Sequence, residues 1–217
     1  MLRILGFLTR TKVYLFRENP LSERDKSARA KKSYISSCKL FEAMKNIDTV
    51  IVRVMKAEDA EGSARVSTEA MEDAWSRYER DYYPRKALEF DKSLHTPENY
   101  TKRIQEPNEF LFVAEEDGKI VGVVTGRILR GYEKEGGLAL LGWICTHPSR
   151  QGRGVGETLL NHLIEYCKRQ KCHKITLHTL PVLMPALKLY LKLGFVPEAY
   201  LHREWWGVDF IKMSKWL

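Results

Sequence analysis

The sequence predicts an α/β fold whose front half is mainly antiparallel sheet, and three patterns carry that prediction. Two apolar runs, residues 110–114 and 120–124, flank an Asp117-Gly118 pair, a strong short-range signal for a tight hairpin. A strand-like run at 138–146 leads through glycines into a stripe of Val155, Leu159, Leu163 and Cys167 at helical spacing. After it come a short strand, a proline-opened helix and a last strand pair.

In chain order, the first strand is residues 50–54, reading Val-Ile-Val-Arg-Val. Ala57, Glu58 and Asp59 open a helix in which Ala60, Ala64, Ser67 and Met71 recur at helical spacing to about Trp75. Residues 75–105 are rich in aromatics and charges and broken by Pro84 and Pro97, which predicts one or two short helices with loops. The hairpin follows, and a loop carrying Gly131, Gly136 and Gly137 leads to the strand at 138–146. His147-Pro148 ends that strand, because proline has no ladder donor. Leu160 and Ile164 widen the stripe of the helix at 154–170, and Lys168, Arg169 and Lys171 suit its C-terminal end. Residues 175–179 make a short strand, Pro185 fits the first turn of a helix ending at Gly194, and 195–217 hold a strand pair around Gly207.

A chain of 217 residues, 44% hydrophobic and 29% charged, is long and apolar enough to bury a sizeable core and unlike a disordered segment. Its net charge of +8 is uneven: residues 1–45 hold 11 Lys and Arg against 4 Asp and Glu, while 46–217 hold 25 against 24. We therefore read 1–45 as a basic N-terminal extension, a mobile arm or a gene-start artefact with Met44 as the initiator, and 46–217 as a single domain. The balanced charge of that domain disfavours nucleic acid as its partner.

Cys38, Cys145, Cys167 and Cys172 lack metal-finger spacing, so no metal is expected, and Cys167 and Cys172 read as half-buried thiols of a reducing compartment. No apolar run approaches the roughly 18 residues that span a bilayer. No secretory signal is evident, so the expected setting is the cytoplasm, with no membrane partner.

The informative segment is Gln151, Gly152, Arg153, Gly154, Val155 and Gly156, between a strand and an amphipathic helix. A helix N-terminus presents unpaired N–H groups and a positive dipole end, and glycines let a phosphate approach them. Arg150 and Arg153 add charge suited to phosphate oxygens. A nucleoside-triphosphate loop would need Gly-Lys-Ser/Thr where this chain has Gly156-Glu157-Thr158. The dinucleotide pattern would place its third glycine one residue later.

Gln151, Gly154 and Gly156, preceded by His147-Pro148, resemble the Q/R-x-x-G-x-G/A loop of the GNAT superfamily of acyl-CoA-dependent N-acyltransferases. Ala186-Leu187-Lys188-Leu189-Tyr190 followed by Leu193-Gly194-Phe195 resembles that family's A-x-x-L-Y-x-x-x-G-F element. The resemblance covers about residues 50–217 and implies a mixed, largely antiparallel sheet of six to seven strands with helices on both faces. It implies an N-acetyltransferase that uses acetyl-CoA and a primary amine, a small molecule or a protein amine, with a homodimer left open. Backbone amides from Gln151 to Gly156 would bind the CoA pyrophosphate, and the strand at Ile144, Cys145 and Thr146 would pair with the pantetheine arm. A backbone N–H near Cys145 or Thr146 would polarise the thioester carbonyl. Tyr190 matches the tyrosine that protonates the departing thiolate.

The chain departs from the family at two places. Many members carry a glutamate on the strand before the loop, where this chain has Leu140, so the base must come from elsewhere: Glu133, Glu135, His178 or an ordered water. Leu183-Met184 occupies the stretch where an asparagine is often found. The missing glutamate also makes a non-catalytic acyl-CoA sensor the alternative reading. The acceptor pocket is expected among Trp75, Tyr78, Tyr82, Tyr83, Trp143, His202, Trp205 and Trp206, which as aromatics can instead be core.

Overall fold

A computed structural model describes residues 50–130 and 137–217. The expectations for residues 1–45, and the base candidates Glu133 and Glu135, lie outside the described residues. Seven strands form one sheet in the order β1-β2-β3-β4-β5-β7-β6. They are β1 (Ile51–Val54), β2 (Glu109–Glu116), β3 (Lys119–Leu129), β4 (Gly137–Thr146), β5 (Cys172–Thr179), β6 (Val196–Trp205) and β7 (Val208–Trp216). The β4–β5 pair is parallel and the other five are antiparallel. Helices are α1 (Ala60–Ala74), α2 (Arg85–Leu94), α3 (Pro97–Ile104), α4 (Val155–Arg169) and α5 (Met184–Lys192).

Local chemistry explains the punctuation. Glu116 pairs with Lys119 across a two-residue loop, and both loop residues have positive φ, 50° at Asp117 and 73° at Gly118. A two-residue hairpin of that twist requires this at both positions. Thr96 caps α3 by accepting from the Asn99 N–H, with Pro97 in the first turn. Thr96→Ala is expected to destabilise the protein by about 1 kcal/mol, read as a lower urea midpoint at unchanged slope.

Alternation along the strands splits the core into two layers. On one face Phe112, Val124, Ile175 and Met213 pack with Leu159, Leu160 and Leu163 of α4 and with Tyr190 and Phe195. On the other, Leu111, Val113 and Val123 pack with Ala64, Val66 and Ala70 of α1 and Tyr100 of α3. Helices thus cover both faces, as the family resemblance implies.

Three details differ from the sequence reading. α1 runs into a five-residue π-helical segment, Trp75–Glu79, and does not stop at Trp75. β5 begins at Cys172 and not at Ile175, because Cys172 already pairs with Gly137 of β4. Cys167 and Cys172 are fully buried, not half-buried, since the end of α4 turns directly under that new strand. No described helix is long and apolar enough to cross a membrane.

The feature that positions the site is a divergence. β4–β5 pairing ends at Leu140 with Thr176, and residues 141–146 of β4 pair only with β3. Just beyond that last pair the β3–β4 register jumps, Thr125 facing Trp143 and Gly126 facing Leu141, so Gly142 bulges out. Such an extra residue bends a strand and sharpens its twist. Gly126 makes the bend feasible, because a Cβ there would lie 2.0 Å from the Leu140 carbonyl oxygen and 2.4 Å from the Phe110 ring.

Candidate active site

Where β4 ends, a 3-10 turn, Pro148–Arg150, leads into the glycine loop and α4. Gly152 and Gly154 have φ of 75° and 85°, a left-handed conformation that glycine adopts without steric cost. Gly154 is the N-cap, and its carbonyl accepts from Thr158 N–H at 2.9 Å, the first helical bond. Among the described residues, none of the six N–H groups of residues 152–157 donates to a protein acceptor. A Cβ at Gly152 or Gly154 would meet nothing within 4 Å, so the loop is open where those donors lie. An anion is what such a run of donors at a positive dipole end binds.

The loop's side chains are engaged elsewhere. The Arg150 guanidinium pairs with the buried Glu116 carboxylate, so part of its charge is already met within the protein. Gln151 spans Arg77 at 3.2 Å and Asp73 at 3.3 Å, tying the loop to the end of α1. Glu157, in the first turn of α4, is paired with Lys192 at 2.6 Å. Arg153 remains exposed.

Along the free edge of β4 the backbone groups alternate. His147 N–H donates to Val121 O at 2.9 Å, so the antiparallel alternation turns the Cys145 N–H toward β3 as well. Ile144 and Thr146 therefore present their N–H groups to the open side. Burial pushes the Cys145 thiol up to about 11, leaving it protonated and inert at neutral pH.

Tyr190 of α5 is buried, its ring 5.9 Å from that of Phe195. Its hydroxyl has no partner among the described residues, and burial pushes the phenol well above its ordinary value. His178 lies on β5, opposite Lys212 of β7, with its ring 5.4 Å from Trp205. Continuing the last parallel pair by two residues sets it level with Gly142, across the divergence. Partial burial, opposed by the Glu204 charge and aided by Lys212, lowers its pKa below the ordinary imidazole value, which favours the neutral ring at pH 7.

The expected aromatic pocket is split. Trp75, Tyr82 and Tyr83 pack with Leu180, Leu201, Val208 and Phe210, joining the segment after α1 to the β6–β7 hairpin. Trp205 meets Phe210 at 5.2 Å, and Trp206 meets Phe90 of α2 at 5.6 Å. His202 is exposed and hydrogen-bonded to Asp209 at 2.9 Å, and Tyr78 lies under the Arg77 guanidinium. Trp143 belongs to another group: its ring lies 4.6 Å from that of His95, tilted by 39°, and its indole N–H donates to Ser67 Oγ at 3.1 Å.

Two groups escaped sequence reasoning. Ser67 Oγ also meets Tyr100 Oη at 2.8 Å, and Tyr100 Oη meets His95 Nδ1 at 2.9 Å. Burial lowers His95 to about 4, so its ring is neutral, and the chain of hydrogen bonds through Tyr100 and Ser67 anchors Trp143 beside the bulge. The second group is Glu79, Tyr83 and Asp91. No sequence signal marks either one, since each is assembled from separate helices by tertiary packing.

Residues 68–195 match the family model described as the acetyltransferase (GNAT) family. The chain is similar in structure to the PaiA N-acetyltransferase of Thermoplasma acidophilum in complex with coenzyme A: 20% identity, TM-score 0.65, covering 78% of this chain and 99% of that one. It is similar to an acetyltransferase of the GNAT family from Streptococcus pneumoniae, with 20% identity and TM-score 0.56 over 78% of this chain and 99% of that one. A spermidine N-acetyltransferase SpeG chimera from Vibrio cholerae and hSSAT gives 26% identity and TM-score 0.55 over 77% of this chain and 95% of that one. The first two, at their low identity, speak to the fold alone.

Proposed function

Because the chain belongs to the GNAT acetyltransferase family, we propose that it moves an acetyl group from acetyl-CoA to a primary amine by direct attack in a ternary complex. One observation carries this reading: six N–H groups at the start of α4 that have no protein acceptor among the described residues adjoin a strand edge that, among those residues, has lost its neighbour. In this reading the donors around Gly152, Gly154 and Gly156 hold the pyrophosphate. The free edge at Ile144 and Thr146 takes the amides of the pantetheine arm, as an added strand would. Residues 46–217 make up the acyltransferase domain and residues 1–45 its basic extension. Three buried free thiols, Cys145, Cys167 and Cys172, suit a reducing cytoplasm.

Acetyl-CoA supplies an activated thioester; the amine nitrogen bonds to the acyl carbon, the carbon–sulfur bond breaks, and one proton leaves nitrogen while another reaches sulfur. The alternation of β4 favours Thr146 over Cys145 as the N–H donor to the acyl oxygen. Tyr190, kept protonated by burial, delivers the proton to sulfur. His178, neutral and on the wall across the cleft, is the described candidate to take the amine's proton, alongside an ordered water. The absence of any Asp or Glu between residues 138 and 146 favours, as a second reading, a module that binds acyl-CoA without turnover.

Titration calorimetry with CoA and with desulfo-CoA is expected to give similar micromolar-range affinities, because the loop contacts phosphate and not sulfur. No heat with either ligand sinks the reading. Gly154→Val places a β-branched side chain in a left-handed conformation over the donors and is expected to weaken CoA at least about tenfold. An acetyl-CoA consumption screen across amine classes separates the enzyme from the non-catalytic module.

A further inference from the structure

The turn that leads into the glycine loop is fastened to one stripe of α1. Glu69 and Asp73 of α1 and Arg77 of the π-helical segment follow at four-residue spacing, which sets them on a common face. Glu69 Oε2 lies 2.7 Å from His147 Nε2. The other ring nitrogen, Nδ1, accepts from the Ser149 N–H, so the ring hydrogen sits on Nε2 and is donated to the carboxylate. At the other end of the turn the Gln151 amide donates to Asp73 Oδ2 at 3.3 Å and accepts from Arg77 Nη1 at 3.2 Å. Arg77 also pairs with the same Asp73 oxygen at 3.1 Å, which closes the three side chains into a ring.

The loop needs such support. Gly152 and Gly154 are left-handed, and a Cβ at either would meet nothing within 4 Å, so no packing at their own positions holds the chain. Glycine also loses more conformational freedom on being fixed than any other residue. A free loop of this kind would spread its N–H groups over many directions, and a ligand would have to order it on binding. The contacts at His147 and Gln151 order it beforehand, with Arg150 between them held by Glu116. All three are side-chain contacts from the turn, so none consumes a donor of residues 152–157.

We propose that Glu69, Asp73 and Arg77 are positioning residues for the cofactor: α1 holds the turn at residues 147–151 so that the donors that follow it converge on one anion. Glu69 acts through His147, and Asp73 and Arg77 act through Gln151, whose side chain therefore serves the brace and not the phosphate. The identity of that anion as the CoA pyrophosphate rests on the acetyltransferase reading; the brace itself rests on the contacts above.

The test is a set of alanine variants of the full chain, because alanine is the best helix former and leaves α1 intact. Asp73→Ala and Glu69→Ala are each expected to weaken CoA by about three- to tenfold in titration calorimetry, the net worth of a hydrogen bond. In steady-state turnover the KM for acetyl-CoA rises by the same factor, while kcat and the KM for the amine stay as they are. Asp73→Ala combined with Gln151→Ala is no weaker than Gln151→Ala alone, since both changes cut one path, whereas Glu69→Ala combined with Asp73→Ala multiplies the two losses. Hydrogen exchange without CoA needs no ligand. The Arg150 amide, bonded within the turn to the His147 carbonyl at 2.8 Å, exchanges faster in both single variants at unchanged urea midpoint. Unchanged exchange in both single variants, CoA affinity unchanged in both when the wild-type chain binds it, or strict additivity of Asp73→Ala with Gln151→Ala overturns the brace. Faster exchange in both variants, with no CoA binding to the wild-type chain, is a failure of the cofactor reading and not of the brace.

Discussion

Replacing Tyr190 by Phe is expected to lower kcat by roughly 10²- to 10⁴-fold, the usual worth of a positioned general acid, while the affinity for CoA stays as it is. The substitution removes one oxygen from a buried ring that has no hydrogen-bond partner among the described residues, so the packing against Phe195 survives and stability does not fall. What is lost is the proton for the leaving sulfur. Burial alone raises the phenol, so the acid stays protonated through the ordinary pH range, and no alkaline loss of kcat in the wild-type chain belongs to it. Rapid-quench turnover with a reactive amine measures the effect. Unchanged kcat leaves Tyr190 as core packing and removes it from the reaction; undetectable turnover in the wild-type chain despite normal CoA binding supports the non-catalytic module.

The second large effect is on stability. Glu79→Gln is expected to stabilise the protein above pH 7, by roughly 3 kcal/mol if the rise from 4.5 to about 7 is realised in full. The sign follows from proton binding. The folded chain keeps a proton on Glu79 that the unfolded chain has released between pH 4.5 and about 7, so wild-type stability falls as pH rises through that window. Above pH 7 both states are ionised and the whole desolvation cost falls on the fold. Gln matches the shape of the protonated carboxyl without that cost, so the variant's advantage at pH 8 should mostly close by pH 5. Urea unfolding at the two pH values measures it, and equal midpoints at pH 8 would show that the carboxyl is not strained by burial.

Much of the fold was legible because it is written in short-range patterns. The alternation of 110–114 and 120–124 around Asp117-Gly118 specifies a hairpin without help from the rest of the chain. The stripe of Val155, Leu159 and Leu163 faces the core as its spacing requires. The glycines of the loop were readable for a similar reason, since a left-handed backbone at Gly152 and Gly154 leaves few other residue types. Side-chain partners across the fold were not readable. Arg150 sits one residue before the loop, yet Glu116, 34 positions earlier, claims it, because the end of β2 comes to lie beside the end of β4. The aromatic set was named in full but divides, Trp143 going to His95, Tyr78 to Arg77 and the others to the β6–β7 hairpin and its neighbours.

The sequence by itself therefore determined the order of strands and helices, the turn chemistry and the glycine turn that opens α4, all of which depend on neighbours within a few residues. Tertiary structure alone decided that β4 and β5 part at Leu140, which N–H groups of β4 face the gap, and that the Glu79 side chain is buried. Local periodicity records which face a residue turns inward. Who waits on that face, and how much water is left there, depends on segments far away in the chain, as Tyr82 and Asp209 are, and only packing brings them together.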